Sequence, residues 1–138
     1  MTELKDRIDS ELENINAILR ELPEARKCSA LSALELAGVG ALIHNFYNGI
    51  ENILKSIFQF KKFDFPTGAN WHRDLLELSL ENNVISKNTF EELKPYLAFR
   101  HYFSHAYAVD LIPTRIEPLD ENLEKVLKNF MNDIGKYR

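Results

Sequence analysis

The chain has 138 residues, a formal net charge of −4 and 28% charged residues. Its hydrophobic share of 45% is typical of a folded globular protein and excludes a largely disordered one. The negative net charge disfavours a protein that coats nucleic-acid phosphates with a broad basic surface, so any RNA contact must come from a local patch. We expect a single domain spanning residues 1–138.

Cysteine content and hydropathy indicate the compartment. Cys28 is the only cysteine, which excludes an internal disulfide or a cysteine-based zinc site, fits a reducing cytosol and predicts a core-filling role. The longest apolar run, residues 36–43, is far shorter than the ~20 residues that cross a bilayer. The N-terminus lacks the apolar segment of a signal peptide. We therefore expect a cytoplasmic protein without a membrane partner.

Two long helices are predicted in the first half of the chain. Apolar residues spaced by four and three form the seam of the first helix: Ile8, Leu12, Ile15, Leu19 and Leu22. Pro23 then breaks or restarts the helix. A second helical pattern runs from Ser29 to about Phe60 and predicts the central helix of the fold.

The second half of the chain predicts shorter helices separated by proline-containing breaks. Residues 61–69 indicate a loop, and a third helix begins near Trp71 with Asn70 as its N-cap. Ser86 is the predicted cap of a fourth helix, which we expect Pro95 to kink or restart.

The last predicted break spans residues 110–118, and a final amphipathic helix follows from Leu119 to Ile134. Residues with the period-two alternation of strands are few, and no internal repeat is present. The sequence therefore predicts an all-α fold, an antiparallel bundle of four or five helices.

The segment from Leu97 to Tyr107 has a pattern that bundle packing alone does not explain. At about 100° per residue, one helix face collects side chains that can be buried: Phe99, Tyr102, Phe103 and Ala106. The opposite face collects polar side chains: Arg100, His101, Ser104, His105 and Tyr107.

The polar face holds the groups needed to cleave a phosphodiester. Arginine keeps its charge and can bind two phosphate oxygens, and histidine can transfer a proton near neutral pH. RNA supplies its own nucleophile, the 2′-hydroxyl, so such a site needs neither a metal ion nor a protein nucleophile. The same residues are also compatible with an ordinary surface or interface helix.

Metal binding is a further alternative for this face. His101 and His105 stand four residues apart, a spacing that can chelate a metal ion. The sequence offers no Glu-x-x-His partner and no second ligand pair, which disfavours a di-iron bundle. We therefore expect no metal and no other cofactor.

The spacing Arg100-x4-His105-x-Tyr107 resembles the Arg-x4-His-x-Tyr signature of HepT toxins, which belong to the HEPN (higher eukaryotes and prokaryotes nucleotide-binding) superfamily. Residues 45–54 resemble the long second helix of that family, and residues 71–76 resemble the start of its third helix. The resemblance covers most of the chain.

The resemblance implies a homodimer whose two signatures face each other and form an RNA-cleaving cleft, with Arg100 and His105 as catalytic residues of a metal-independent endoribonuclease toxin. It also implies a partner, a minimal nucleotidyltransferase antitoxin that silences the toxin by transferring AMP from ATP to Tyr107. Tyr102, on the face predicted to be buried, is a poorer acceptor of AMP.

The chain departs from the family pattern after the arginine, where His101 replaces a polar residue that is often Asn. His101 is either an additional polar contact or a second acid–base group, and Ser104 is a further auxiliary candidate. Glu51 could orient Arg100 or His105, but the preferred interpretation is a solvent-exposed charge.

Three further residues receive a structural interpretation. His44 and His72 are predicted to be structural, and Tyr47 is predicted to lie in the core in preference to stacking on a base.

A second class of function is a non-catalytic HEPN module that binds a nucleotide or serves as the substrate-binding subunit of a nucleotidyltransferase. Such modules often lack a complete Arg-x4-His pair, so the sequence favours the endoribonuclease.

Overall fold

A computed structural model describes residues 2–105 and 110–138, and these residues form helices and loops without a strand. The α-helices are α1 (Thr2–Glu21), α2 (Ala33–Lys61), α3 (Trp71–Glu81), α4 (Lys87–His105) and α5 (Pro113–Ile134). Short 3₁₀ turns occupy Ala25–Ala30 and Gly135–Tyr137. The predicted all-α bundle is confirmed. None of the described helices is both long and apolar enough to cross a membrane.

Helices α1 and α2 pack as an antiparallel pair. Ile15 of α1 lies so close to Gly49 of α2 that a Cβ added to the glycine would be 2.8 Å from the isoleucine side chain. Nearer the start of α1, Arg7 lies 3.4 Å from Gln59, near the end of α2. The predicted seam supplies most of the buried side chains of α1: Leu4, Ile8, Leu12 and Ile15.

Helix α4 runs antiparallel to α2. The Phe46 and Tyr96 rings meet edge to face, with centroids 5.2 Å apart. Towards the end of α4, a Cβ added to Gly40 would lie 2.9 Å from the ring of Phe103. Glycine at position 40 therefore lets the end of α4 approach α2 closely.

Helix α5 in turn runs antiparallel to α4. The Tyr96 hydroxyl donates to the backbone carbonyl of Leu119 over 2.7 Å, and the Ser86 hydroxyl donates to the Asp133 carboxylate over 2.9 Å. Helix α4 is thus held between α2 and α5, and the buried apolar side chains form one contiguous core.

Side-chain caps decide where two helices begin. The Ser32 hydroxyl accepts from the Glu35 amide over 3.1 Å, and the Glu35 carboxylate accepts from the Ser32 amide over 3.0 Å. This capping box starts α2 at Ala33, so the predicted start at Ser29 is wrong. The predicted Ser86 cap of α4 is confirmed, because its hydroxyl accepts from the Thr89 amide over 3.2 Å.

The prolines interrupt the helices less than predicted. Helix α4 continues from Lys87 to His105 through Pro95, so the predicted restart is wrong, and the alternative of a kink at Pro95 stays a prediction. Helix α5 begins at Pro113 and contains Pro118, so the break predicted over residues 110–118 ends at Ile112 and its predicted extension to Pro118 is wrong. Proline at the first helical position loses no helical hydrogen bond, and burial of α5 side chains on both sides of Pro118 offsets the bond lost there.

Asn70 precedes α3, as predicted, but its side chain makes no capping hydrogen bond to the described residues. The backbone of Asn70 lies outside the extended region that N-cap residues usually adopt, which explains why its side chain does not cap.

Candidate active site

Glu51 lies in the middle of α2 with its side chain only 4% exposed. The interpretation of Glu51 as a solvent-exposed charge is therefore wrong, because α3 and α4 cover this face of α2. A carboxylate taken out of water is costly unless donors or cations surround it. The partners of Glu51 therefore determine what this part of the bundle can do.

Two side chains from other helices meet the Glu51 carboxylate. His72 of α3 places Nδ1 2.8 Å from Oε2 and 3.0 Å from Oε1. Arg100 of α4 places Nε 3.8 Å from Oε1. We call Glu51, His72 and Arg100 the Glu51 cluster. It joins three helices through one buried carboxylate.

The Arg100 guanidinium is only partly used by this contact. At 3.8 Å, its Nε forms an ion pair with Glu51 but is too far for a hydrogen bond. The Nε atom is buried and has no hydrogen-bond partner among the described residues, whereas the side chain as a whole is 25% exposed. The exposed part therefore belongs to other atoms of Arg100, which can still meet an anion from solvent.

Beyond Arg100, the last turns of α4 present further polar side chains to solvent. Together with Arg100, these side chains form a set that we call the α4 edge: Arg100, His101, Ser104 and His105. The imidazole rings of His101 and His105 lie edge to face, with centroids 4.6 Å apart. The Ser104 hydroxyl donates to the carbonyl of Arg100 over 2.9 Å, which leaves its oxygen lone pairs as acceptors.

The other face of this part of α4 packs against the bundle. Phe99 is buried, and Tyr102 and Phe103 are partly buried, so the predicted division between an apolar and a polar face is confirmed for these residues. The Tyr102 hydroxyl donates to the carbonyl of Asp110 over 3.2 Å. Tyr107, the predicted acceptor of AMP, lies outside the described residues.

The charges of Arg100 and Glu51 change the pKa values of two further side chains on α2. Burial lowers the pKa of His44, and the positive charge of Arg100 lowers it further. Burial raises the pKa of Tyr47, and the negative charge of Glu51 adds to that rise. Tyr47 is 1% exposed, so its predicted core position is confirmed. Both groups are kept uncharged near neutral pH.

The arrangement offers a fixed cation and two exposed imidazoles without a candidate metal centre. Within residues 2–105 and 110–138, no group of three or more His, Cys, Asp or Glu side chains is placed to hold a metal ion. The exposed imidazoles of His101 and His105 are groups that can form hydrogen bonds and transfer protons.

Comparison with known families gives this geometry a context. A family model described as HepT-like protein matches residues 38–138, well over half of the chain. This chain belongs to the HepT-like family. Comparisons with curated proteins and with solved structures gave no match. The matched residues of this HepT-like chain include α3, α4 and most of α2, and thus the whole Glu51 cluster.

The structure adds a residue that the sequence did not single out for the site. His72 of this HepT-like chain was expected to be structural, yet it makes the shortest contacts to the buried carboxylate. A histidine at the second position of an amphipathic helix carries no pattern that reveals its partner. Only the packing of α3 against α2 brings it to Glu51.

Proposed function

We propose that this HepT-like protein is a metal-independent endoribonuclease toxin in which Arg100 and His105 are the catalytic residues. The observation that carries the proposal is the placement of Arg100, which is paired with a buried carboxylate while part of its side chain faces solvent beside two exposed histidines. A cation held beside groups that transfer protons is suited to cleaving a phosphodiester, because it stabilises the charge that develops on the phosphate oxygens.

In the proposed reaction, the 2′-oxygen of the RNA attacks the adjacent phosphorus and gives up its proton. The bond from phosphorus to the 5′-oxygen breaks, and that oxygen takes a proton. The products are a 2′,3′-cyclic phosphate and a 5′-hydroxyl. Arg100 stabilises the charge on the phosphorane, and His105 takes the proton from the 2′-hydroxyl and returns it to the departing 5′-oxygen. His101 is either a further polar contact or a second acid–base group that shares these two transfers.

The proposal includes a homodimer. The α4 edge is exposed and belongs to a single helix end, so one copy alone offers little surface with which to enclose an RNA strand. A second copy related by two-fold symmetry would complete a cleft with its own arginine and histidines. Light scattering at micromolar concentration tests this, and a monomer would contradict it.

Control by a partner follows from the family. We propose that a minimal nucleotidyltransferase antitoxin transfers AMP from ATP to Tyr107 in the cytoplasm, since Tyr107 follows His105 by two residues. An added phosphate near Arg100 would occupy the position proposed for the RNA phosphate. Intact-mass measurement and peptide mapping after co-expression identify the modified residue. AMP on Tyr102 or on no residue would contradict the proposal.

The direct test of the proposed activity is RNA cleavage in EDTA by wild type, Arg100→Ala and His105→Ala. Arg26→Ala is a matched control, because Arg26 is an exposed arginine outside both the Glu51 cluster and the α4 edge. We expect wild type and Arg26→Ala to cleave and the other two variants to lose at least about 100-fold in rate. If purified wild type binds a nucleotide but leaves RNA intact, the protein is instead a non-catalytic binding module.

A further inference from the structure

We infer that His72 is a positioning residue that fixes the Glu51 carboxylate and, through it, the Arg100 guanidinium. This inference rests on the proposed function for its catalytic consequence, but its structural content concerns the Glu51 cluster alone. It gives a role to a side chain that does not belong to the Arg-x4-His signature and lies on a different helix from it.

His72 donates the hydrogen bond that orients the Glu51 carboxylate. Nδ1 of His72 lies within 3.0 Å of both Glu51 oxygens, which places the Nδ1 proton between them. Arg100 approaches one of these oxygens only to 3.8 Å. The orientation of the carboxylate is therefore set by His72. The Arg100 guanidinium is attracted electrostatically to the carboxylate in that orientation.

The imidazole of His72 is held rigidly by its neighbours. His72 is the second residue of α3, its ring lies against Trp71 with centroids 3.5 Å apart, and the Lys55 ammonium lies 4.5 Å from the centre of the Trp71 ring. With only 21% of its side chain exposed, His72 has little freedom to turn away from Glu51. Helix α3 thus supplies a fixed point against which α2 and α4 are aligned.

The orientation of the Glu51 carboxylate in turn restrains Arg100. Its Nε atom is buried without a hydrogen bond to the described residues, so the ion pair with Glu51 is the main polar restraint on that end of the guanidinium. If the carboxylate turned, the guanidinium would lose this restraint. A displacement of about 1 Å in a catalytic group can reduce a reaction rate by about 100-fold.

A substrate-free NMR experiment tests the structural part. Nitrogen-15 shifts of the His72 ring should show a proton on Nδ1 at pH 8, both in wild type and in Arg100→Ala, because this proton depends on Glu51. The Nε–H signal of Arg100, assigned by its absence in Arg100→Ala, should move in His72→Leu. It should stay unchanged in Glu77→Ala, a control at an exposed position of α3.

Cleavage kinetics test the catalytic part. We expect His72→Leu to lower kcat by about 10- to 100-fold, and His72→Asn to stay within about threefold of wild type because the amide nitrogen of Asn can replace Nδ1 as a donor. In the Arg100→Ala background, His72→Leu should cause no further loss, since the two residues act through the same group.

The outcomes separate this inference from the proposed function. Protonation of His72 on Nε2 alone, or an unmoved Arg100 signal in His72→Leu, overturns the inference even if RNA is cleaved. Absence of RNA cleavage with the expected NMR results overturns the nuclease but leaves the positioning role in place. If His72→Leu fails to fold, the wild-type spectrum still decides, because protonation on Nε2 alone overturns the inference, as does a loss in kcat well above threefold in a folded His72→Asn.

Discussion

Two carboxylates of this protein are withdrawn from solvent with different partners. Glu51 is paired with Arg100 and His72, whereas the partly buried Asp120 of α5 accepts a hydrogen bond from the Cys28 thiol over 3.7 Å. The Cys28–Asp120 pair has no cation among its described contacts, and burial raises the pKa of both groups, that of Cys28 to about 11.

The two carboxylates differ in what their surroundings offer to a ligand. The Glu51 cluster keeps an arginine partly exposed next to other polar groups, so its charge can act on a ligand. Burial shifts both Cys28 and Asp120 towards their neutral forms, and neutral groups can pack inside the bundle without a counter-ion. Burial of a polar group alone therefore does not indicate an active site.

The largest expected difference between Glu51 and Asp120 is in the free energy of unfolding that is lost when each negative charge is removed. Glu51→Gln leaves Arg100 without its counter-ion and should lower the free energy of unfolding by about 2 kcal/mol, less than the ~3–5 kcal/mol of a fully buried pair because Arg100 is partly exposed. Asp120→Asn should change it by less than about 0.5 kcal/mol or raise it slightly. Urea unfolding at pH 7 measures both, and equal losses would remove the distinction.

A smaller difference is expected in how His44, which lies near Arg100, and Asp120 change the stability of the protein as the pH is lowered. The pKa of His44 is lowered in the folded protein, so the unfolded chain takes up a proton first, and stability falls as the pH drops below about 6.5. The pKa of Asp120 is raised, so its contribution to stability increases as the pH falls through its folded value towards 3.8.

Stability curves of variants separate these two effects. His44→Gln should flatten the loss of unfolding free energy between about pH 7 and about pH 5, and Asp120→Asn should remove the gain in stability that begins as the pH falls through the folded pKa of Asp120. The pH dependence is measured by urea unfolding. A His44→Gln curve parallel to that of wild type would contradict the assigned effect of burial and of Arg100.

The smallest expected signal is the reactivity of the thiol. Cys28 is fully buried and its pKa is raised to about 11, so very little thiolate is present at pH 8. Iodoacetamide should label native protein far more slowly than protein in urea, as followed by mass spectrometry. Equal labelling rates would show that the region around Cys28 opens readily.

The sequence predicted the helices well where apolar periodicity was strong and poorly where single residues set a boundary. The α1 seam and the polar face of α4 followed from spacing alone. The start of α2 depended on the reciprocal bonds of Ser32 and Glu35, and the continuity of α4 depended on core contacts around Pro95. Such contacts outweigh local propensity and are not visible in a linear pattern.

The candidate site was predicted in part for a similar reason. Arg100, His101, Ser104 and His105 lie on one helix, so their common face could be derived from the helical period. Glu51 and His72 lie on two other helices and meet only after folding. A buried charge and an exposed one look alike in the sequence, which explains why the preferred interpretation of Glu51 was wrong.

The most direct test of the central claim is the chemistry of the new RNA ends. A labelled RNA should be incubated with pure protein in EDTA, and its products compared with chemical standards. We expect a 2′,3′-cyclic phosphate, or the phosphate formed by its hydrolysis, and a 5′-hydroxyl, all formed at least about 100-fold more slowly with Arg100→Ala. Products with a 5′-phosphate and a 3′-hydroxyl, or equal cleavage by Arg100→Ala, would contradict attack by the 2′-hydroxyl at a site built on Arg100.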